Sequence, residues 1–158
     1  MITCYFEDGG KAGLRHVVVH AIVEKENKLL LVKRTGKLLE SGKWSIPTGF
    51  LERNESVEQG MLRELKEETG WTGKVTALFR IISNPNRPND ADRQSVAFEF
   101  LITPIQQVSQ PDVLENSALE WVAIENISAY APFAFDNGET LELYLKYRQN
   151  SFPLPVLS

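Results

Sequence analysis

The chain has 158 residues, 42% hydrophobic and 24% charged, with a net charge of −4. That is the composition of an ordinary globular domain with enough chain to enclose a core. The acidic balance argues against binding a nucleic-acid polymer, which needs a basic surface, and no apolar run reaches the length of a membrane span. The single cysteine, Cys4, excludes an intramolecular disulfide. The first residues lack the basic-then-apolar pattern of a secretory signal. A reducing, cytoplasmic setting is therefore expected.

Residues 1–15 are mixed and contain glycine; they are expected to form an extra strand or an ordered arm. Residues 16–24, HVVVHAIVE, are apolar and rich in β-branched side chains and predict a strand. Glu26-Asn27 predicts a tight turn, and residues 28–34, KLLLVKR, predict the return strand of a hairpin. A loop over 35–42 and a short strand over 44–47 then deliver the chain to Gly49. A helix is predicted from Ser56. Ser56 and Gln59 have the spacing of a capping box, Val57, Met61 and Leu65 form an apolar stripe, and Gly70 supplies the left-handed stop.

Residues 74–83, KVTALFRIIS, predict a long strand, and 84–93, NPNRPNDADR, a loop. Residues 95–103, SVAFEFLIT, predict a strand, 104–118 a polar loop, and 119–124, LEWVAI, a short strand. Asp136-Asn137-Gly138 is placed to cap a last helix whose buried stripe is Leu141, Tyr144 and Leu145, and residues 149–158 form a proline-broken tail. No repeat or linker divides the chain, so a single domain over 1–158 is expected. Strands outnumber helices, which predicts an α/β domain with a central mixed sheet covered by helices on both faces.

The chemistry concentrates in residues 49–71, GFLERNESVEQGMLRELKEETGW. On a helix Glu64, Glu67 and Glu68 stand at i, i+3 and i+4 and share a face. Like charges so placed repel, and a divalent cation offsets that. Mg²⁺ and Mn²⁺ are hard ions that take oxygen ligands. A solvated acidic face is the bland alternative.

The order Gly49, Glu55, Arg63-Glu64-Leu65, Glu67-Glu68, Gly70-Trp71 resembles the signature of the MutT/Nudix hydrolases. Seven of these positions admit one residue type, so chance agreement is on the order of 10⁻⁸ per placement at roughly one in fifteen per position. Trp71 stands where the family usually has Ile, Leu or Val, a change of size at an apolar position.

The resemblance implies a Nudix-type α/β/α sandwich and an enzyme. The implied reaction is Mg²⁺-dependent hydrolysis (Mn²⁺ being the alternative ion) of the diphosphate in a nucleoside diphosphate linked to a further group. ADP-ribose or another nucleotide sugar is the first choice. A nucleoside triphosphate pyrophosphohydrolase of the 8-oxo-dGTP type is the second, and a non-catalytic ligand-sensing module the third.

By position, Glu64, Glu67, Glu68 and the carbonyl of Gly49 match the family's metal ligands, and Glu67 and Glu68 its catalytic carboxylates. Glu55 and Arg63 match the ion pair that ties the loop to the helix. Glu115, six residues before Trp121, resembles the family's further carboxylate, an outer metal ligand or general base. Arg80, Arg87 and Arg93 are candidates for holding the phosphate or sugar. His16, His20, Glu99 and Glu120 are read as structural. The partner implied is a small nucleotide, without nucleic acid or membrane. Many members are homodimers, and residues 1–15 are the segment this chain offers for such an interface.

Overall fold

The computed structural model describes residues 2–36, 38–87, 94–111 and 116–158. The chain opens with a hairpin, β1 (Ile2–Tyr5) and β2 (Lys11–Leu14), which realises the expected arm as a small separate sheet. The second hairpin, β3 (Val17–Lys25) and β4 (Lys28–Arg34), turns at Glu26 and Asn27, both with positive φ, 51° and 61°. Two left-handed residues in a row are what a twist-matched two-residue turn requires, and Asn tolerates that conformation better than most side chains.

Strands β5 (Trp44–Ser45) and β6 (Thr48–Phe50) lead into helix α1 (Val57–Thr69). Strands β7 (Trp71–Ile82), β8 (Val96–Gln107) and β9 (Asn116–Ala123) follow. A 3₁₀ turn over Ile124–Tyr130, helix α2 (Asn137–Gln149) and the two-residue β10 (Val156–Leu157) complete the described fold.

The sheet is mixed. β3 runs parallel to β8 on one side. Its other side pairs antiparallel with β6 near the start and with β4 at the end. β7 pairs antiparallel with β8, and β9 and β5 pair antiparallel with β4. The side-chain alternation of strands sends β3 and β4 into two cores. Val19, Ala21, Val23 and Leu30 pack with Met61 and Leu65 of α1. Ile22, Leu29 and Leu31 pack with Leu141 and Tyr144 of α2. Each large side chain so enclosed contributes about 1.5–3 kcal/mol. The α/β/α layering expected from the element pattern is thus present, with α1 on one face and α2 on the other.

Three elements depart from the sequence reading. β8 continues through Pro104 to Gln107, where a loop is predicted. Proline cannot donate to a ladder, but its partner Gly73 lies at a register shift, where a missing N–H is tolerated. β9 begins at Asn116 rather than 119. The tail is anchored, because β10 adds a parallel pair to Arg80 and Ile81 of β7. Among the described residues no helix is long and apolar enough to cross a membrane.

Candidate active site

Helix α1 begins as its sequence dictates. Gln59 N donates to Ser56 Oγ at 3.2 Å while Ser56 N donates to Gln59 Oε1 at 2.8 Å, a complete capping box. It ends at Gly70, φ +74°, whose N–H donates to Lys66 O. A Cβ at Gly70 would fall 2.0 Å from Ser109 O, so both conformation and space require glycine.

The loop ahead of the helix is held by Arg63, which uses all its N–H donors. Nε and Nη2 reach the two oxygens of Glu55 at 3.1 and 2.8 Å. Nη2 also reaches Phe50 O at 3.0 Å, and Nη1 reaches Glu64 and Glu67 at 2.9 and 3.0 Å. The planar fork makes this set possible; a lysine could not supply it. The Arg63 hydrogen bonds, together with the Glu52 N–H, hold the Glu55 carboxyl below the usual carboxylate range.

The acidic residues of α1 are graded in depth. Glu67 is exposed, Glu64 is half-buried and Glu68 is buried at 4% exposure. Burial pushes the Glu68 carboxyl up to about 8, against the Thr48 N–H that donates to it at 2.9 Å. The Glu64 charge raises it further. The acidic face is therefore solvated at one end and enclosed at the other.

Gly49 permits the close approach of loop and helix. A Cβ there would lie 1.8 Å from Glu64 Cδ, so the Glu64 carboxyl rests directly on the Gly49 backbone. Among the described residues no three acidic side chains converge as a metal cluster. Arg63 Nη1 is bound to Glu64 and Glu67, and Glu68 turns to Thr48.

A cavity of about 540 Å³ opens over this face, within the size range of small-molecule sites. Gly49, Glu64, Glu67 and Glu68 line it, together with residues from other elements: His20 of β3, Arg34 of β4, Arg87, and Phe135 ahead of α2. The Arg34 guanidinium lies 5.2 Å from the centre of the Phe135 ring. Phe135 holds a φ of +50°, uncommon for a bulky side chain.

Comparison with known proteins agrees with this geometry. Residues 14–144 match the NUDIX domain family. The chain belongs to the Nudix hydrolase family. It is 32% identical over 132 residues to the ADP-ribose pyrophosphatase of Methanocaldococcus jannaschii, covering 84% of this chain and 74% of that protein. It is 39% identical over 138 residues to the ADP-ribose pyrophosphatase of Bacillus subtilis, covering 81% of this chain and 71% of that protein. Among solved structures, the NUDIX domain of Shewanella oneidensis NrtR, complexed with ADP ribose, matches at a TM-score of 0.73 and 25% identity. That match covers 91% of this chain and 94% of that one.

Beyond the Nudix signature the structure redistributes the candidates. Arg80 does not line the cavity. Its Nε donates to Ser158 Oγ at 2.9 Å and its Nη1 to Thr140 Oγ1 at 3.3 Å, so it is buried against α2 and the tail. Arg87 does line the cavity, but its Nε and Nη2 are committed to Asp136 at 2.8 and 2.7 Å. Burial pushes Asp136 up, and the bonds and charge of Arg87 outweigh it, leaving that carboxyl below its ordinary value. Asp136 stands at the start of α2 yet caps nothing with its side chain, because Arg87 takes both oxygens.

Arg93 and Glu115 lie outside the described residues. Next to Glu115 in sequence, the buried Asn116 side chain lies against Glu68 and acts to lower that carboxyl. Trp44, Phe98, Phe100 and Tyr130 pack in or against the two cores. The sequence reading passed over His20 and Glu99, which pair across the parallel strands β3 and β8. Each looks like a strand residue in isolation; the signal lies in the pairing of strands far apart in the chain.

Proposed function

We propose that this Nudix hydrolase cleaves the diphosphate linkage of a nucleotide sugar, with ADP-ribose the first substrate to test, and that it uses Mg²⁺ or Mn²⁺. The observation that carries the reading is the oxygen-rich junction of Gly49 with the acidic end of α1, opening on a cavity of nucleotide size. The naming of two relatives as ADP-ribose pyrophosphatases supports the substrate choice. The donor set fits a hard divalent ion: carboxylate oxygens and a backbone carbonyl, with glycine at the one place where a Cβ would close the gap. Glu64, Glu67, Glu68 and the Gly49 carbonyl are the groups that would hold it. When bound, such an ion neutralises phosphoryl charge and lowers the pKa of a coordinated water.

The protein's own groups divide the remaining work. Arg63 fixes the loop on the helix through Glu55 and Phe50 O. Glu67 and Glu68 are the carboxylates this reading assigns to the ion and its water, with Glu68 oriented by the Thr48 N–H. Glu115 remains the further carboxylate this reading assigns as an outer ligand or general base. Arg87 is the arginine kept for the phosphate or sugar, since it lines the cavity. A cytoplasmic location fits a substrate of this class.

The test is product release from a panel of ADP-ribose, other nucleotide sugars, dinucleoside polyphosphates and normal and oxidised triphosphates, with Mg²⁺, with Mn²⁺ and with chelator. Metal-dependent turnover concentrated on ADP-ribose is the expected result. Turnover concentrated on triphosphates would replace the substrate assignment. Binding without turnover, seen as a higher Tm, would make the chain a sensing module.

A further inference from the structure

His20 and Glu99 form a buried polar pair at the cavity, away from the Nudix signature. His20 is 4% exposed and lines the cavity; Glu99 is 0% exposed and lies behind it. His20 Nδ1 is 3.2 Å from Glu99 Oε1. The same oxygen accepts from Thr140 Oγ1 at 2.7 Å, and Thr140 in turn accepts from Arg80 Nη1. Glu99 Oε2 has no hydrogen-bond partner among the described residues.

An enclosed carboxylate is costly, and apolar side chains fill the neighbouring inward positions of β8, Ala97 and Phe100. What Glu99 supplies that an apolar residue cannot is an acceptor. A carboxylate oxygen can only accept, so the hydrogen of this bond belongs to His20 Nδ1. In the neutral imidazole the other nitrogen, Nε2, is then left with its lone pair. Nδ1 is turned to Glu99, and Nε2 is the ring nitrogen that remains for the cavity.

Resting on the nucleotide-sugar reading, we propose that His20 contacts the substrate through Nε2 as an acceptor, taking a neutral hydrogen-bond donor, and that Glu99 is the positioning residue that fixes its tautomer. Phosphoryl oxygens are acceptors and do not match a bare Nε2. The donors a nucleotide sugar carries are its sugar hydroxyls and the amine of its base. His20 therefore reads the organic part of the substrate, while the acidic end of α1 faces the diphosphate.

The experiment compares kcat and KM of wild type, His20→Ala, Glu99→Leu, Glu99→Gln and the double variant His20→Ala/Glu99→Gln, each also followed by Tm. The substrates are ADP-ribose and its inosine counterpart, which lacks the exocyclic amine. The expected result is a KM for ADP-ribose raised about tenfold in His20→Ala with kcat changed less than about twofold, the loss of one hydrogen bond. Glu99→Leu raises KM similarly, and Glu99→Gln, which keeps an acceptor for Nδ1–H, recovers most of that loss.

If the inosine substrate abolishes the penalty, the donor is the base amine; if the penalty persists, it is a sugar hydroxyl. Both outcomes support the assignment. An unchanged KM in the double variant, which removes the ring and leaves no buried carboxylate behind it, overturns the contact. A lower Tm without a KM change in Glu99→Leu overturns the positioning role. Wild-type inactivity on both substrates strikes the functional reading and this inference together, and is separable from a variant-only failure.

Discussion

At the scale of single residues, Glu68 sets folding against chemistry. Its carboxyl is pushed from an ordinary value of 4.5 up to about 8, chiefly by burial. A raised carboxyl contributes its stability in full below pH 4.5, where it is protonated in both folded and unfolded chains. That contribution is lost as pH rises through 8. In chelator, Glu68→Gln is therefore expected to be more stable than wild type at neutral pH, by an amount on the order of a few kcal/mol at 1.4 kcal/mol per unit. The gap should open between about pH 5 and pH 8. Turnover in Mg²⁺ should fall by orders of magnitude in the same variant. Denaturant titrations across that range check the first half; equal stability at pH 5 and pH 8 would contradict it. Exposed Glu67 is the control, and Glu67→Gln should shift stability by less than about 0.5 kcal/mol. The helical spacing announces that these carboxylates share a face, but not that the face slopes from solvent into the sheet. Depth is set by β6, whose Thr48 N–H donates to Glu68, and no local pattern contains it.

Between residue and fold lies the loop–helix unit, where two substitutions separate position from chemistry. Arg63→Lys keeps the charge and loses the fork that binds Glu55, Phe50 O, Glu64 and Glu67 at once. It is expected to cost about 1–3 kcal/mol by urea unfolding, and Mg²⁺ should then raise Tm less than it does in wild type. Gly49→Ala is expected to act almost wholly on the site. Its Cβ would overlap Glu64 Cδ, so the Tm rise with Mg²⁺ should disappear while stability in chelator changes little. A Gly49→Ala variant with an undiminished Mg²⁺ response would remove Glu64 and the Gly49 carbonyl from the site. This unit was the most legible part of the sequence because its determinants are local. The capping box, the Gly70 stop and the i, i+3, i+4 carboxylates each lie within a few residues. The 3₁₀ turn at Ile124–Tyr130 and the continuation of β8 through Pro104 were not legible. One lacks a periodic signal, and the other depends on Gly73 across the sheet.

Over the whole molecule, the cavity is closed by contacts between segments far apart in the chain. The Arg87–Asp136 pair is the clearest of them. It ties the segment after β7 to the start of α2 and buries both side chains. Composition and periodicity could name Arg87 as a phosphate candidate but could not supply its partner. Asp136 is 49 positions away and looks like a helix cap in isolation. Removing one member of a buried pair leaves the other charge uncompensated, so Asp136→Ala is expected to cost about 3–5 kcal/mol at neutral pH. The joint replacement of Arg87 by Met and Asp136 by Leu should recover most of that. The pH dependence has the opposite sign to that of Glu68. Arg87 holds Asp136 below its ordinary 3.8 despite burial, so its stabilisation is present above pH 3.8 and is lost as pH falls through the lower folded value. The deficit of Asp136→Ala should therefore shrink in acid, measured as the difference in urea midpoint at pH 7 and near pH 3. A deficit of the same size at both would mean that Asp136 acts through packing alone. A recovered fold with a raised KM in the double variant would assign Arg87 to the substrate as well, because stability and binding would then separate in one protein.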